Sequence, residues 1–224
     1  MNYILNIETS TTNCSVALYD NSNFIDCIEE NDENYSHSIN LHVFINKLLS
    51  NCNLKPKDLS AIAVSKGPGS YTGLRIGVST AKGLCYALNI PLISVDTLDA
   101  FALQINSKDG FIIPLLDARR MEVYSSVYDN QHNKVRKTDA EILDISSFKD
   151  FLKSNKVYFL GNANNKTKSI IKSDNAVFVD NKFPSAIEVG IIASQKFKIN
   201  DFENVGEFEP FYLKDFIGTK LKSD

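Results

Sequence analysis

The chain has 224 residues, a formal net charge of −3, 43% hydrophobic and 23% charged residues, enough to bury a real core in one large or two small domains. No stretch approaches the roughly 18 consecutive apolar residues of a membrane span. The opening MNYILNIETS has neither basic lead nor cleavage site, so no secretory signal is expected and a cytoplasmic location is. The charge balance argues against a protein that grips nucleic acid alone through a basic face. Lysines gather at 149–172 and 214–222, but acidic residues accompany both groups, and each reads as a solvated surface. Cys14, Cys27, Cys52 and Cys85 stand far apart, without the paired spacing of a zinc or redox motif, and read as reduced thiols.

In chain order, YILNIET (3–9), CSVALYD (14–20) and FIDCIEE (24–30) predict three strands, the first two joined as a hairpin by polar turn formers. Leu41, Phe44, Ile45, Leu48 and Cys52 fall at helical spacing and predict a helix over 36–51, with Ser36 or Ser38 as N-cap. LSAIAVSK (59–66) is a short apolar strand, the glycine turn KGPGS follows, and a second helix is expected over 72–88 before the strand PLISVD (91–96). The second half restarts the pattern. FIIPLLDA (111–118) and MEVYSSVYD (121–129) read as adjoining strands. SSFKDFLKSN (146–155) reads as a helix, KVYFLGN (156–162) as a strand, NKTKSIIKS (165–173) as a helix and AVFVD (176–180) as a strand. A final helix is expected over 184–199, with Pro184 in its first turn and Ile187, Ile191 and Ile192 on one face. The repeated order suggests two similar lobes of mixed sheet and helices, 1–105 and 106–224, with the C-terminal segment packing back on the first.

The glycine turn fits neither standard nucleotide fingerprint. A Walker A loop ends in Gly-Lys-Ser/Thr, and here Leu74 and Arg75 follow Gly73; the dinucleotide spacing is also missed by one residue. The helix after it carries Gly73, Gly77 and Gly83, and each interior glycine costs about 1 kcal/mol relative to alanine. Something must need the bare backbone, either another element of this chain or a partner. Ile39, Val43, Asn46 and Lys47 form a second stripe on the first helix, away from its core stripe, which suggests an interface.

NIETSTTNCSVALYD with SKGPGSYTGLRIGVSTAKGLCYALNIPLISVDTL, and more weakly PLLDARRMEVYSSVYD and EPFYLKD, closely resembles the bacterial TsaB (YeaZ) family of tRNA threonylcarbamoyladenosine biosynthesis proteins. The resemblance implies the two-lobed fold of the actin, Hsp70 and sugar-kinase superfamily (ASKHA). It also implies a required, non-catalytic platform in a complex that modifies the adenosine beside the anticodon. There TsaD transfers the threonylcarbamoyl group and TsaE is an ATPase partner; older usage places such proteins among M22 peptidases. The alternatives are a catalytic TsaD-like transferase or a metallopeptidase.

In TsaD a segment after the second helix carries two metal-binding histidines four residues apart; the matching positions here are Thr97 and Phe101. His37 and His42 are five apart, roughly 140° around a helix, and poorly placed to share an ion. His132 lies in a polar loop, so no metal site is expected. The second-lobe turn DARR lacks glycine. Glu8, Gly67, Gly69, Asp117 and Arg119 are candidates for a vestigial nucleotide or anion site, with weak nucleotide affinity and no required cofactor, and the DARR turn is expected to close through a local ion pair. The expected contacts with TsaD are Ile39, Val43, Asn46, Lys47, Gly73, Arg75, Ile76, Gly77 and Thr80, a surface that would also serve a homodimer. Contact with tRNA is expected only through the complex.

Overall fold

The computed structural model describes residues 1–32 and 37–214. One topology occurs twice. Strands β1 (Tyr3–Glu8), β2 (Asn13–Asp20), β3 (Asn23–Asn31), β4 (Leu59–Gly67) and β5 (Leu92–Asp96) lie in the order β3-β2-β1-β4-β5. Strands β6 (Phe111–Asp117), β7 (Glu122–Asp129), β8 (Lys134–Ile142), β9 (Val157–Leu160) and β10 (Ala176–Val179) lie in the order β10-β9-β6-β7-β8. In each sheet the first strand runs antiparallel to the second and parallel to the fourth. This is the two-lobed, actin-like α/β architecture with mixed sheets.

Helices explain why the central strands read as continuous apolar runs: both faces are covered. On one face of the first sheet, Leu5, Ile7, Ile62 and Val64 pack under α1 (His37–Asn51) and α2 (Tyr71–Leu88), which contribute Leu41, Ile45, Leu48, Val78 and Cys85. On the other face, Ile4, Ala61, Ala63, Ile93 and Val95 meet α6 (Ala186–Lys198). In the second lobe α4 (Lys149–Leu152) and α5 (Asn164–Ile170) accompany one face of the sheet. Between the lobes sits α3 (Thr97–Ala102), which turns Leu98, Phe101 and Ala102 toward Ile112, Leu116 and Leu160 and gives Ala100 to the first lobe. Helix α6 therefore returns from the second lobe to complete the first.

Local chemistry accounts for the departures from expectation. Ser38 lies inside α1 instead of at its N-cap position, while Ser36 falls outside the described residues. Only one turn of the helix expected over 146–155 forms, as α4. Upstream of it, Asp144 Oδ1 accepts from Ser146 N and Ser147 Oγ accepts from Asp144 N, local bonds that compete with a helical ladder. The buried face of α6 is Ala186, Val189, Gly190, Ala193 and Ser194, with Ile187 and Ile192 packed partly buried against the same core, while Ile191 is exposed and does not share that face. Small residues are needed there because the Tyr19 ring lies against Gly190 while its hydroxyl donates to Ile187 O at 2.8 Å. Pro184 precedes the N-cap, Ser185, instead of opening the helix.

Candidate functional site

The glycine turn joins β4 to α2, and Ser70 caps the helix by accepting from Gly73 N at 3.3 Å. Gly67 holds φ at +119°, a region that favours glycine, and a Cβ there would stand 2.6 Å from Phe211 O. Phe211 N in turn donates to Lys66 O at 2.7 Å. A Cβ on Gly69 would meet Ser10 at 2.5 Å. The turn expected as part of an anion site is thus filled from both sides by the chain's own backbone.

Phe211 belongs to a strap, residues 201–214, that runs back across the first lobe. Glu203 bridges Leu92 and accepts from Ser94 Oγ, and Lys82 Nζ donates to Gly206 O at 3.2 Å and Phe208 O at 2.7 Å. Tyr212 packs on Tyr71 with ring centroids 4.9 Å apart, and Arg75 lies over Tyr71 and donates to its hydroxyl. Lys214 then pairs with Glu122 of the second lobe, so the strap spans from one lobe to the other.

Two of the expected contact residues face inward. A Cβ on Gly73 would stand 2.1 Å from Thr9 O, and one on Gly77 would stand 2.3 Å from Thr9 Oγ1. Thr9 Oγ1 also donates to Gly73 O at 2.8 Å. These glycines let α2 sit on the β1–β2 turn, so Gly73 and Gly77 are corrected from a partner surface to an internal seam.

The remaining contact candidates are exposed or half-buried. Ile39 and Val43 of α1 are 71% and 56% exposed. Asn46, Lys47 and Arg75 are exposed, and Ile76 and Thr80 are half-buried. Where α1 and α2 adjoin, His42, Ser79, Thr80, Gly83 and Leu84 line a depression of about 350 Å³. A Cβ on Gly83 would meet nothing within 4 Å. Among the described residues, therefore, nothing explains a glycine in the middle of that helix. Tyr86, 87% exposed, extends the same helix. Sequence reasoning missed His42, Tyr86 and Tyr212; the signal for Gly83 was present, but nothing in sequence separated it from Gly73 and Gly77.

At the end of β1, Glu8 is fully buried among first-lobe residues, and burial pushes its carboxyl above the usual range against hydrogen bonds from Ser10, including its N–H at 2.6 Å. Thr97 and Phe101 are also fully buried, the Phe101 ring in the core beneath the second sheet. His37 Nε2 lies 2.6 Å from Thr11 O and His132 Nε2 lies 2.9 Å from Ile105 O; both brace turns. Among the described residues no three His, Cys, Asp or Glu side chains group as metal ligands. Thr97 and Phe101 in particular offer no pair of ligating side chains at these two buried positions. The second-lobe turn is shut by Asp117, which accepts from Arg119 N at 2.6 Å and pairs with Lys166 at 3.1 Å. Its ion partner is therefore α5's lysine and not the adjacent Arg119, which is exposed.

A family model described as "TsaD: tRNA N6-adenosine threonylcarbamoyltransferase" matches residues 32–215. A Bacillus subtilis protein, "tRNA threonylcarbamoyladenosine biosynthesis protein TsaB", is 34% identical over 177 residues, covering 75% of each chain. The chain belongs to the TsaB family. The Escherichia coli TsaB is 34% identical over 138 residues, 59% of this chain and 57% of that one. The solved YeaZ structure from Pseudomonas aeruginosa superimposes with a TM-score of 0.80 over 95% of this chain and all of that one, at 22% identity, which supports the fold. The chain is thus related both to TsaB proteins and to the transferase family. Thr97 and Phe101, where the family resemblance expects the enzyme's histidines, bear on which of the two roles it plays.

Proposed function

We propose that this TsaB-family chain is a non-catalytic platform, required for threonylcarbamoyl modification of adenosine 37 in tRNAs reading codons that begin with adenine. It dimerises with a TsaD-type transferase through the outer face of α1 and α2 and thereby enables the action of TsaE. Without that partner, the same face pairs two copies of this chain. It works in the cytoplasm and needs no metal or nucleotide of its own, because Phe101 cannot ligate and the glycine turn is filled by Phe211 and Ser10.

The observation that carries the reading is Gly83. An exposed interior glycine costs about 1 kcal/mol, and here the space above it is open, with His42 of α1 lining the same depression. A helix of a partner approaching that bare backbone offsets the cost. A partner built on the same frame, as the transferase-family match supports, presents a like pair of helices. The competing reading, a TsaD-like transferase or an M22-type peptidase, needs ligands that the buried Thr97 and Phe101 do not supply.

A reconstitution tests the role. TsaD and TsaE with tRNA, threonine, bicarbonate and ATP are expected to yield modified tRNA only when this chain is added. This chain alone is expected to turn over no ATP. Modification without it, or turnover by it alone, refutes the platform reading.

A further inference from the structure

The lysines of the second lobe are not scattered. Residues 146–173 carry six lysines and one acid, Asp150, in a chain whose net charge is −3. Two of the six are engaged by carboxylates toward the cleft or flank, Lys166 by Asp117 and Lys168 by Asp180. The other four, Lys149, Lys153, Lys156 and Lys172, are exposed. Lys149, Lys153 and Lys172, with Ser147 and Ser173, line a shallow depression of about 290 Å³ floored by Leu152 and Ile171. Lys156 reaches the same corner, its Nζ donating to Asp174 O at 2.8 Å, next to Ser173. Lys153 pairs with Asp150, but with side chains 64% and 86% exposed, and such a pair is worth little and is readily exchanged.

The patch has a defined place. Val157 opens β9 opposite Phe111, at the start of β6, while the Asp117 turn is at the far end of β6. Six residues of strand put about 20 Å between patch and cleft. The partner face proposed above lies on the other lobe, so the two surfaces can be tested separately.

We propose that this pole of the second lobe binds the sugar–phosphate backbone of the tRNA brought to the complex; the inference rests on the platform reading. Three lysines line the depression with two serines and Lys156 lies at its corner, Lys156 and Lys172 meanwhile donating to backbone carbonyls, a set that suits phosphate oxygens without reading sequence. Lysine's flexible stem suits a point contact to a phosphate, and the spread of charge suits an extended polyanion. An acidic peptide is the competing occupant.

The test uses the reconstituted complex with this chain carrying Lys149→Gln, Lys153→Gln, Lys156→Gln and Lys172→Gln together. KM for tRNA is expected to rise about tenfold with kcat unchanged, and the slope of log affinity against log salt to fall by about 3. Arginine at the same four positions restores both, and Lys55→Gln with Lys57→Gln, on the first lobe, changes neither. The patch is refuted if the four-glutamine chain matches wild type in KM and slope. It is refuted equally if a polyglutamate peptide binds through these lysines while tRNA binding ignores them. Modification that persists without the chain refutes the platform reading and the patch together. Modification that needs the chain but ignores the glutamine set refutes the patch alone.

Discussion

Gly77 rests on Thr9, with room for no side chain between them: an added Cβ would stand 2.3 Å from the threonine hydroxyl. Six residues further along the same helix, Gly83 faces open space. One helix thus carries two kinds of glycine, one required by the fold and one that the isolated fold does not require.

The contrast has a measurable form. Gly77→Leu is expected to destabilise the chain by about 3 kcal/mol, because overpacking must push the β1–β2 turn off α2. Gly83→Ala is expected to stabilise the isolated chain by about 1 kcal/mol. Denaturant unfolding of both variants checks the pair, and a neutral Gly77→Leu would show that α2 does not sit on Thr9.

This is where the sequence ran out. Leu41, Ile45 and Leu48 announced the core of α1 by their spacing, and FIIPLLD announced a covered strand by its unbroken apolar run. Three glycines in one helix announced close approach but not its direction, since that depends on where the β1–β2 turn lies in space. Strand β8 was silent because it is a largely exposed edge with scattered charge, held to β7 by backbone pairing and by Arg136 and Glu141 meeting at Ser125. The C-terminal segment was expected to pack back on the first lobe, but the contacts of the strap were silent for a similar reason. Many of its anchors are backbone groups, the carbonyls of Gly206 and Phe208 and the N–H groups of Glu203 and Phe211, and those carry no residue-type signal.

Releasing the strap should be possible from α2 alone. Lys82→Met removes the two bonds to Gly206 O and Phe208 O, and a charged donor lost in this way costs about 1–3 kcal/mol. Hydrogen exchange is expected to rise first at Phe211 N, whose bond to Lys66 O depends on the strap staying down. Unchanged protection there would mean that Glu203 and Tyr212 hold the strap without Lys82.

Acid should weaken the first lobe before the carboxylates titrate. His37 is buried, and burial holds its pKa below the ordinary value, against the hydrogen bond to Thr11 O. Between its folded and unfolded pKa values the unfolded chain binds more protons, so stability rises with pH there. This contribution is therefore full above the unfolded value of about 6.5 and is lost as pH falls below it. His37→Gln is expected to flatten the decline between about pH 6.5 and pH 5, measured by denaturant midpoints. An equally steep decline in that variant would assign the acid sensitivity to another group.

The central claim is that the open backbone of α2 is where a transferase partner docks. Gly83→Leu fills the depression beside His42 and Thr80 without touching the core. Co-purification of this variant with TsaD is the direct measurement, alongside its melting temperature. The account predicts an unchanged or higher melting temperature and an association weakened at least about tenfold, a loss of 1.4 kcal/mol or more. A variant that folds normally and still binds TsaD as tightly as wild type would contradict it.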